Sequence, residues 1–324
     1  MIAGQHASIE SLNNIREELG LNNPPLKRYL HYLNDISPIS YHSNNADSYF
    51  YYNEDKYGGN TLLSSSNSCI VLKSPYLGKS FQTQQSVSSI IGKTLPNTIV
   101  LAITSILIAS ILGIIAGIFA AIFKDSLYDK ISLLLSATGM SLPSFFAAIL
   151  IGWIFAIMMG RFTGLNLTGN LYEIDNLSGE SFINLKNLIL PAITLGIRPL
   201  AIILQLTRNS LLDVLSQDYI RTAKAKGLTF TKIILHHALK NALNPVITAI
   251  SGWFASLMAG VIFVEYIFGW KGLGTIIVNA LNQQDMPLVT GCIITISIMF
   301  IITNIIVDIT YSLLDPRIKQ YENS

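Results

Sequence analysis

An all-α fold that crosses a membrane several times is what this sequence predicts, on three observations. Hydrophobic residues fill 51% of the 324 positions and charged ones only 12%, about half the charged share of an ordinary soluble domain. Five runs, 95–123, 131–159, 188–206, 242–264 and 287–307, are apolar over lengths that match the roughly 20 residues a helix needs to span a bilayer. The first two contain no Asp, Glu, Lys or Arg at all, which a buried helix of a soluble protein seldom sustains. Lysine and arginine, finally, gather in alternate connections, as the positive-inside rule requires of a polytopic chain.

That alternation sets an orientation. The 206–242 connection holds Arg208, Arg221, Lys224, Lys226, Lys232 and Lys240 against Asp213 and Asp218. The 124–130 turn adds Lys124 and Lys130, and the tail adds Arg317 and Lys319. The connections between them are poorer: 160–187 has Arg161 and Lys186, and 265–286 has Lys271. The 206–242 connection and the C-terminus are therefore expected in the cytoplasm. A net charge of +2 and a pI near 8.4 are too mild to suggest nucleic acid as a partner. Cys69 lies in a polar segment and Cys292 in an apolar run, and CxxC spacing is absent, so neither a disulfide frame nor a zinc site is suggested.

The expected organisation is an extracytoplasmic segment 1–94, a membrane domain 95–314 containing the basic loop 208–241, and a cytoplasmic tail 315–324. In the first segment, Arg16, Lys27, Arg28, Lys56, Lys73, Lys79 and Lys93 balance Glu10, Glu17, Glu18, Asp35, Asp47, Glu54 and Asp55. Near-neutral charge does not oppose export, but no signal peptide or apolar run stands ahead of it to start export. The expectation is that an initial membrane helix precedes Met1. Ser8 can cap a short helix with Ile9, Leu12, Ile15 and Leu19 on one side and Gly20 as its stop. Pro24-Pro25 leads into a second short helix over 26–33. Residues 37–75, rich in Ser, Asn and Tyr, read as an irregular external loop, with insertion favoured over partner docking.

Within the membrane domain, Pro143, Pro191 and Pro245 are expected to kink helices or mark their first turns. Gly113 and Gly117 supply a GxxxG face, and Ser256 with Gly260 another small pair, both suited to close helix packing. Arg198, beside Pro199 in the third apolar run, is costly in lipid unless it faces water or a partner, which makes it a pathway-lining candidate. Glu265 and Asp308 sit at span ends, where capping or interfacial roles are expected.

Chemical motifs are sparse. Gly78-Lys79-Ser80 and Gly92-Lys93-Thr94 copy the end of a phosphate-binding loop, but Lys73 and Val87 stand where its first glycine belongs, and neither follows an apolar strand. HExxH and GxSxG patterns are missing, and the adjacent His236 and His237 would point about 100° apart on a helix, a poor metal pair. No catalytic, cofactor or metal residue is expected. The informative stretch is Asp218-Tyr219-Ile220-Arg221-Thr222-Ala223-Lys224-Ala225-Lys226-Gly227, a basic helix in the polar loop. Ala223 and Ala225 would permit close approach to a partner, Gly227 can end the helix in the left-handed conformation, and Thr229 can cap the next one.

Arg221 to Gly227 resembles the "EAA" loop of permeases in binding-protein-dependent ABC importers, in the variant of the dipeptide, oligopeptide and nickel family. His237-Ala238-Leu239-Lys240-Asn241-Ala242-Leu243 with Pro245 resembles its continuation. Glu265 and Gly272-Leu273-Gly274 resemble that family's external turn, and Asp285, Pro287, Asn304, Asp308, Tyr311 and Asp315-Pro316-Arg317 its last helix and tail. Arg16-Glu17-Glu18-Leu19-Gly20-Leu21 and Leu95-Pro96-Asn97-Thr98 also fit. The similarity covers nearly the whole chain apart from about 37–75. It departs in lacking the family's usual first membrane helix and in placing Trp270-Lys271 where a proline is common.

The resemblance implies a type I ABC importer permease fold in the bacterial inner membrane, with five visible spans of the usual six. It implies a second, similar permease subunit, two cytoplasmic ATPase subunits carrying ATP and Mg, and an extracytoplasmic solute-binding protein. Arg221, Thr222, Ala223, Lys224, Ala225, Lys226, Gly227, His237, Asn241 and Pro245 would form the surface gripped by an ATPase. Peptides are the expected cargo, nickel or another small solute the alternative. An ion-coupled secondary transporter would place ionisable groups in several span centres and show inverted repeats, neither of which is apparent.

Overall fold

The charge-free run 95–123 becomes the core of one continuous helix, Val87–Ile122. This computed structural model describes residues 22–46, 48–175 and 179–314, so the stretches Ser8–Gly20 and Arg16–Leu21 and the tail motif Asp315–Arg317 lie outside the described residues. The chain divides into two compact units, 1–92 with 280–292, and 93–279 with 293–324.

In the first unit, α1 (Pro25–Ile36) starts with proline in its first turn, where the missing N–H costs nothing. Strands β1 (Ile39–Ser43), β2 (Asn60–Ser64) and β3 (Ser68–Leu72) form an antiparallel sheet in the order β1-β3-β2, with Ile39 opposite Leu72 and Thr61 opposite Val71. The short helix α2 (Glu54–Tyr57) is capped by Asn53, whose side chain accepts from the Lys56 N–H at 3.2 Å. The expectation of an irregular 37–75 loop is therefore corrected. Its strands escape a hydrophobicity reading because β1 runs backwards: Ser40 and His42 are buried while Ile39 and Tyr41 are exposed.

Asp35 organises this unit. The Tyr57 hydroxyl donates to its carboxylate at 2.7 Å, His31 and Lys56 stand 3.5 Å from it, and the Lys73 ammonium donates to its backbone carbonyl. Burial, and then the bond to Asp35, raises the Tyr57 phenol far above its ordinary value, and burial lowers the Lys73 ammonium. Further on, Asp285 anchors the turn that feeds the first long helix. It is fully buried and accepts from the Ser80 hydroxyl at 2.5 Å and the Phe81 N–H at 3.1 Å. Gly78-Lys79-Ser80 is thus a structural turn, with Gly78 at φ +85°.

In the second unit the run 131–159 is not one straight span. Helix α4 (Leu127–Ser141) and helix α5 (Ser144–Ile151, continued by a π-helical stretch Gly152–Met158) meet at 115°. Pro143 lacks an N–H and biases Leu142 away from helical angles, so Leu142 and Pro143 both take extended ψ values, 128° and 141°. Besides Val87–Ile122 (α3), the stretches Lys186–Leu215 (α6) and Met286–Ile309 are long and apolar enough to cross a membrane, and the bent pair makes a fourth candidate among the described residues. The run 242–264 lies in a 24-residue helix, α10 (Asn244–Ile267), with Pro245 in its first turn. A hairpin of β4 (Tyr172–Ile174) and β5 (Ser181–Ile183) precedes α6. Pro191 and Pro199 sit inside α6 without ending it.

Helix α6 is the packing centre: two thirds of its most apolar window is buried. The expected glycine face works here. A Cβ on Gly113 would come within 2.8 Å of Ile203, and one on Gly117 within 2.6 Å of the Leu204 carbonyl, so these glycines let α3 approach α6 backbone to backbone. Ser256 is exposed, and the surroundings of Gly260 lie outside the described residues. Glu265, expected to cap, does so from full burial: it accepts from Thr98 at 2.7 Å and from the Gly274 N–H at 2.6 Å. The Thr98 hydroxyl in turn accepts from Leu273 N–H at 2.9 Å, which satisfies the start of α11 (Leu273–Asn282). A side chain on Gly272 would collide with the Glu265 carboxylate. Asp308 is exposed on α12 (Met286–Leu314).

Candidate functional site

Past the end of α6 the chain turns at Ser216-Gln217 into α7 (Asp218–Ala225). Asp218 opens the helix, where a negative charge meets the positive end of the dipole. Its contact with Arg221 at 3.3 Å is fully solvated and worth little. What holds α7 in place is one face: Ile220 and Ala223, three residues apart, are buried in a cluster with Ala121, Leu211, Ile233, Ala238 and Ala242. The Tyr219 hydroxyl accepts from the Asn241 amide at 2.9 Å, tying α7 to the helical segment that returns toward the membrane domain.

The stop at Gly227 is a double-bonded one. Gly227 N–H donates to Lys224 C=O at 2.9 Å and Leu228 N–H to Ala223 C=O at 3.4 Å, with Gly227 at φ +74°. This is the Schellman pattern, in which the residue after the glycine also packs on the helix it ends. Leu228 does so, against the Ile220–Ala223 cluster. Thr229 occupies the cap position of the next turn, but its side chain makes no capping bond. From there α8 (Phe230–Lys232) leads into a π-helical turn, Ile233–Ala238, and then α9 (Leu239–Ala242).

The structure sorts the expected residues. Arg221, Thr222, Lys224, Ala225 and Lys226 project outward on and just after α7, and His237, Asn241 and Pro245 are exposed on the return segment. Ala223 does not meet the expectation of a partner contact: it is 7% exposed and packs inward, because its three-residue spacing from Ile220 puts both on one side. Arg198 is exposed on α6, but it lies 17 residues before the end of that helix, roughly 26 Å away along the axis. A groove along α10, lined by Ala249, Gly252, Trp253 and Ser256, lies in the same unit. Among the described residues no group of three or more His, Cys, Asp or Glu could hold a metal ion.

Sequence reasoning missed two supports of this site. One is Tyr219, whose bond to Asn241 spans 22 positions. The other is the ion pair of Arg208 with Asp129, 79 positions apart, at 2.6 Å. Nothing local in the chain announces either contact.

The family described as binding-protein-dependent transport system inner membrane component matches residues 113–320. The dipeptide transport system permease protein DppB of Alkalihalophilus pseudofirmus is 34% identical over 332 residues, covering 98% of this chain and 89% of that protein. Its namesake in Haemophilus influenzae is 38% identical over 255 residues, covering 75% and 76%. Among solved structures, the inward-facing MetNI methionine ABC transporter superposes with a TM-score of 0.54 over 70% of this chain and 97% of its own, at 13% identity. That likeness speaks for the fold, the type I ABC permease fold.

Proposed function

This chain belongs to the binding-protein-dependent transport system inner membrane components, and on that premise we propose that it is the permease subunit of an ABC importer of di- and oligopeptides. The observation that carries the reading is α7: a short basic helix packed on its own chain by Ile220 and Ala223 and ended by the Gly227 cap. Arg221, Thr222, Lys224, Ala225 and Lys226 point away from it. A helix held this firmly can pass on motion, because a partner biases two states only if it contacts them differently.

In this reading the loop 208–241 and the tail 315–324 are cytoplasmic, 1–94 is extracytoplasmic, and 95–314 spans the bacterial inner membrane. Two ATPase subunits bind below and carry ATP and Mg; this chain holds no cofactor and does no covalent chemistry. One ATPase seats α7, with His237, Asn241 and Pro245 at the border of the contact. Closure of the ATPase pair carries α7 with it and switches the bundle between inward- and outward-open states. A second permease subunit completes the pathway, Arg198 lines it, and a solute-binding protein delivers cargo from outside. The dipeptide relatives favour peptides over nickel.

The test is reconstitution with a second permease subunit, ATPase subunits and a solute-binding protein of this importer family from the same organism. Cysteine at position 225 should cross-link to an ATPase and ATP should drive uptake of labelled dipeptide. Labelling of position 225 from the exterior, or nickel uptake without peptide uptake, would overturn the topology or the cargo respectively.

A further inference from the structure

Helix α1 is built inside out. Its His31, Tyr32 and Asp35 side turns toward the inner face of the sheet: Asp35 bonds Tyr57, and the Tyr57 ring packs 4.6 Å from that of the buried His42. On the opposite side Leu26, Tyr29, Leu30 and Leu33, spaced i, i+3, i+4 and i+7, are 70%, 58%, 50% and 39% exposed. That spacing ordinarily faces a core. Lys27 borders the stripe, with its ammonium 5.7 Å from the Tyr49 ring centre, while Arg28 lies on the opposite side with His31 and Asp35. The helix is 12 residues long, about 18 Å.

The far end of α1 is tied to the start of an apolar span within the same compact unit. Tyr76 N–H donates to the Asp35 carbonyl at 2.9 Å. The next two residues meet the first turns of α12: a Cβ at Gly78 would lie 3.6 Å from Pro287 Cβ, and one at Gly291 would lie 3.6 Å from Leu77 Cβ. Met286, one residue before Pro287, is itself 57% exposed. The apolar stripe thus belongs to a helix whose far end is anchored beside the start of an apolar span.

We propose that α1 is an interfacial membrane helix: Leu26, Tyr29, Leu30 and Leu33 insert at the headgroup–acyl boundary, with Lys27 at the edge of the stripe beside the lipid phosphates. The bilayer then holds the 22–75 module down at the membrane, beside the start of α12. The sheet's outer face, with Ile39, Tyr41, Leu63 and Leu72 exposed, lies on the side away from α1, and one plane of lipid cannot touch both.

Spin labels on the full chain in proteoliposomes decide the matter, since the native Cys69 and Cys292 are buried and the unmodified chain gives the background. Labels at Leu30→Cys and Leu33→Cys are compared with Ile302→Cys in α12, Glu54→Cys in water and Leu63→Cys on the sheet. Expected is a collision preference for oxygen over an aqueous nickel chelate at Leu30 and Leu33 that matches Ile302, with Glu54 and Leu63 preferring the chelate. The proposal is overturned if Leu30 and Leu33 behave like Glu54, if they are shielded from both reagents as under a covering protein segment, or if Leu63 alone reports lipid. Should Ile302 itself fail to report lipid, the membrane reading of the chain fails with it.

Discussion

Arg208 grips Asp129 with two nitrogens, Nε to Oδ1 and Nη2 to Oδ2, each at 2.6 Å, and the carboxylate is almost wholly buried. Asp129 also accepts from the Asp125 N–H at 2.9 Å, so the pair staples the 124–130 turn to α6 about two turns before that helix ends. A fork-to-fork geometry of this kind is among the stronger polar contacts.

Asp129→Ala should therefore destabilise the protein by about 3 kcal/mol, since it strands a largely buried guanidinium. Thermal unfolding in detergent would show this. A drop no larger than that of an exposed control such as Asp213→Ala would mean that water already satisfies Arg208.

Gly117→Ala tests the close approach of α3 and α6. The added methyl would meet the Leu204 carbonyl at 2.6 Å, so overpacking of about 1–3 kcal/mol is expected. Gly92→Ala on the same helix meets nothing within 4 Å and should be neutral or slightly stabilising. Equal melting temperatures for the two variants would remove the packing argument.

At Gly227 there is open space around the missing Cβ, and the constraint is φ +74°. Forcing a side chain into that region costs about 1–2 kcal/mol, more for a β-branched one. Gly227→Val should abolish uptake while membrane insertion persists, and Gly227→Asn, which tolerates the left-handed region, should keep most activity. Undiminished uptake by the valine variant with normal ATPase co-purification would refute the role given to this stop.

The N-terminal unit should loosen in mild acid. Burial lowers the pKa of His31 and of His42 below the ordinary 6.5; Asp35 opposes the shift, and Lys56 or Lys73 adds to it. Groups with depressed folded values are neutral when folded, so below that ordinary value the unfolded chain binds more protons. Their stabilisation is present above about pH 6.5 and is lost as pH falls through the lowered folded values. Hydrogen exchange over 31–43, corrected for intrinsic rate, should show falling protection from pH 7 to pH 5. Constant protection would contradict the assignment.

Much of the membrane domain was legible because its determinants are local. Apolar length announced α3, α6, α10 and α12; Pro143 marked a break, though not its 115° bend, which follows from the dihedral angles that Leu142 and Pro143 both take. The Gly227 stop was readable since φ > 0 favours glycine whatever surrounds it. The sheet in 37–75 was not, because β1 hides Ser40 and His42 and shows Ile39 and Tyr41. Ala223 was misread as an outward contact for a related reason: composition names a small residue without saying which way it faces.

By itself the sequence determined where the long apolar helices lie, the basic loop and its stop, all consequences of how single segments partition between water, lipid and helix. Tertiary structure alone decided that Asp129 meets Arg208, that Glu265 caps α11 through Thr98, that Ala223 turns inward, and that α1 leaves its apolar side uncovered. These are relations between residues far apart in the chain, set by close packing and by the need of buried polar groups for partners, and no window of neighbouring residues contains them.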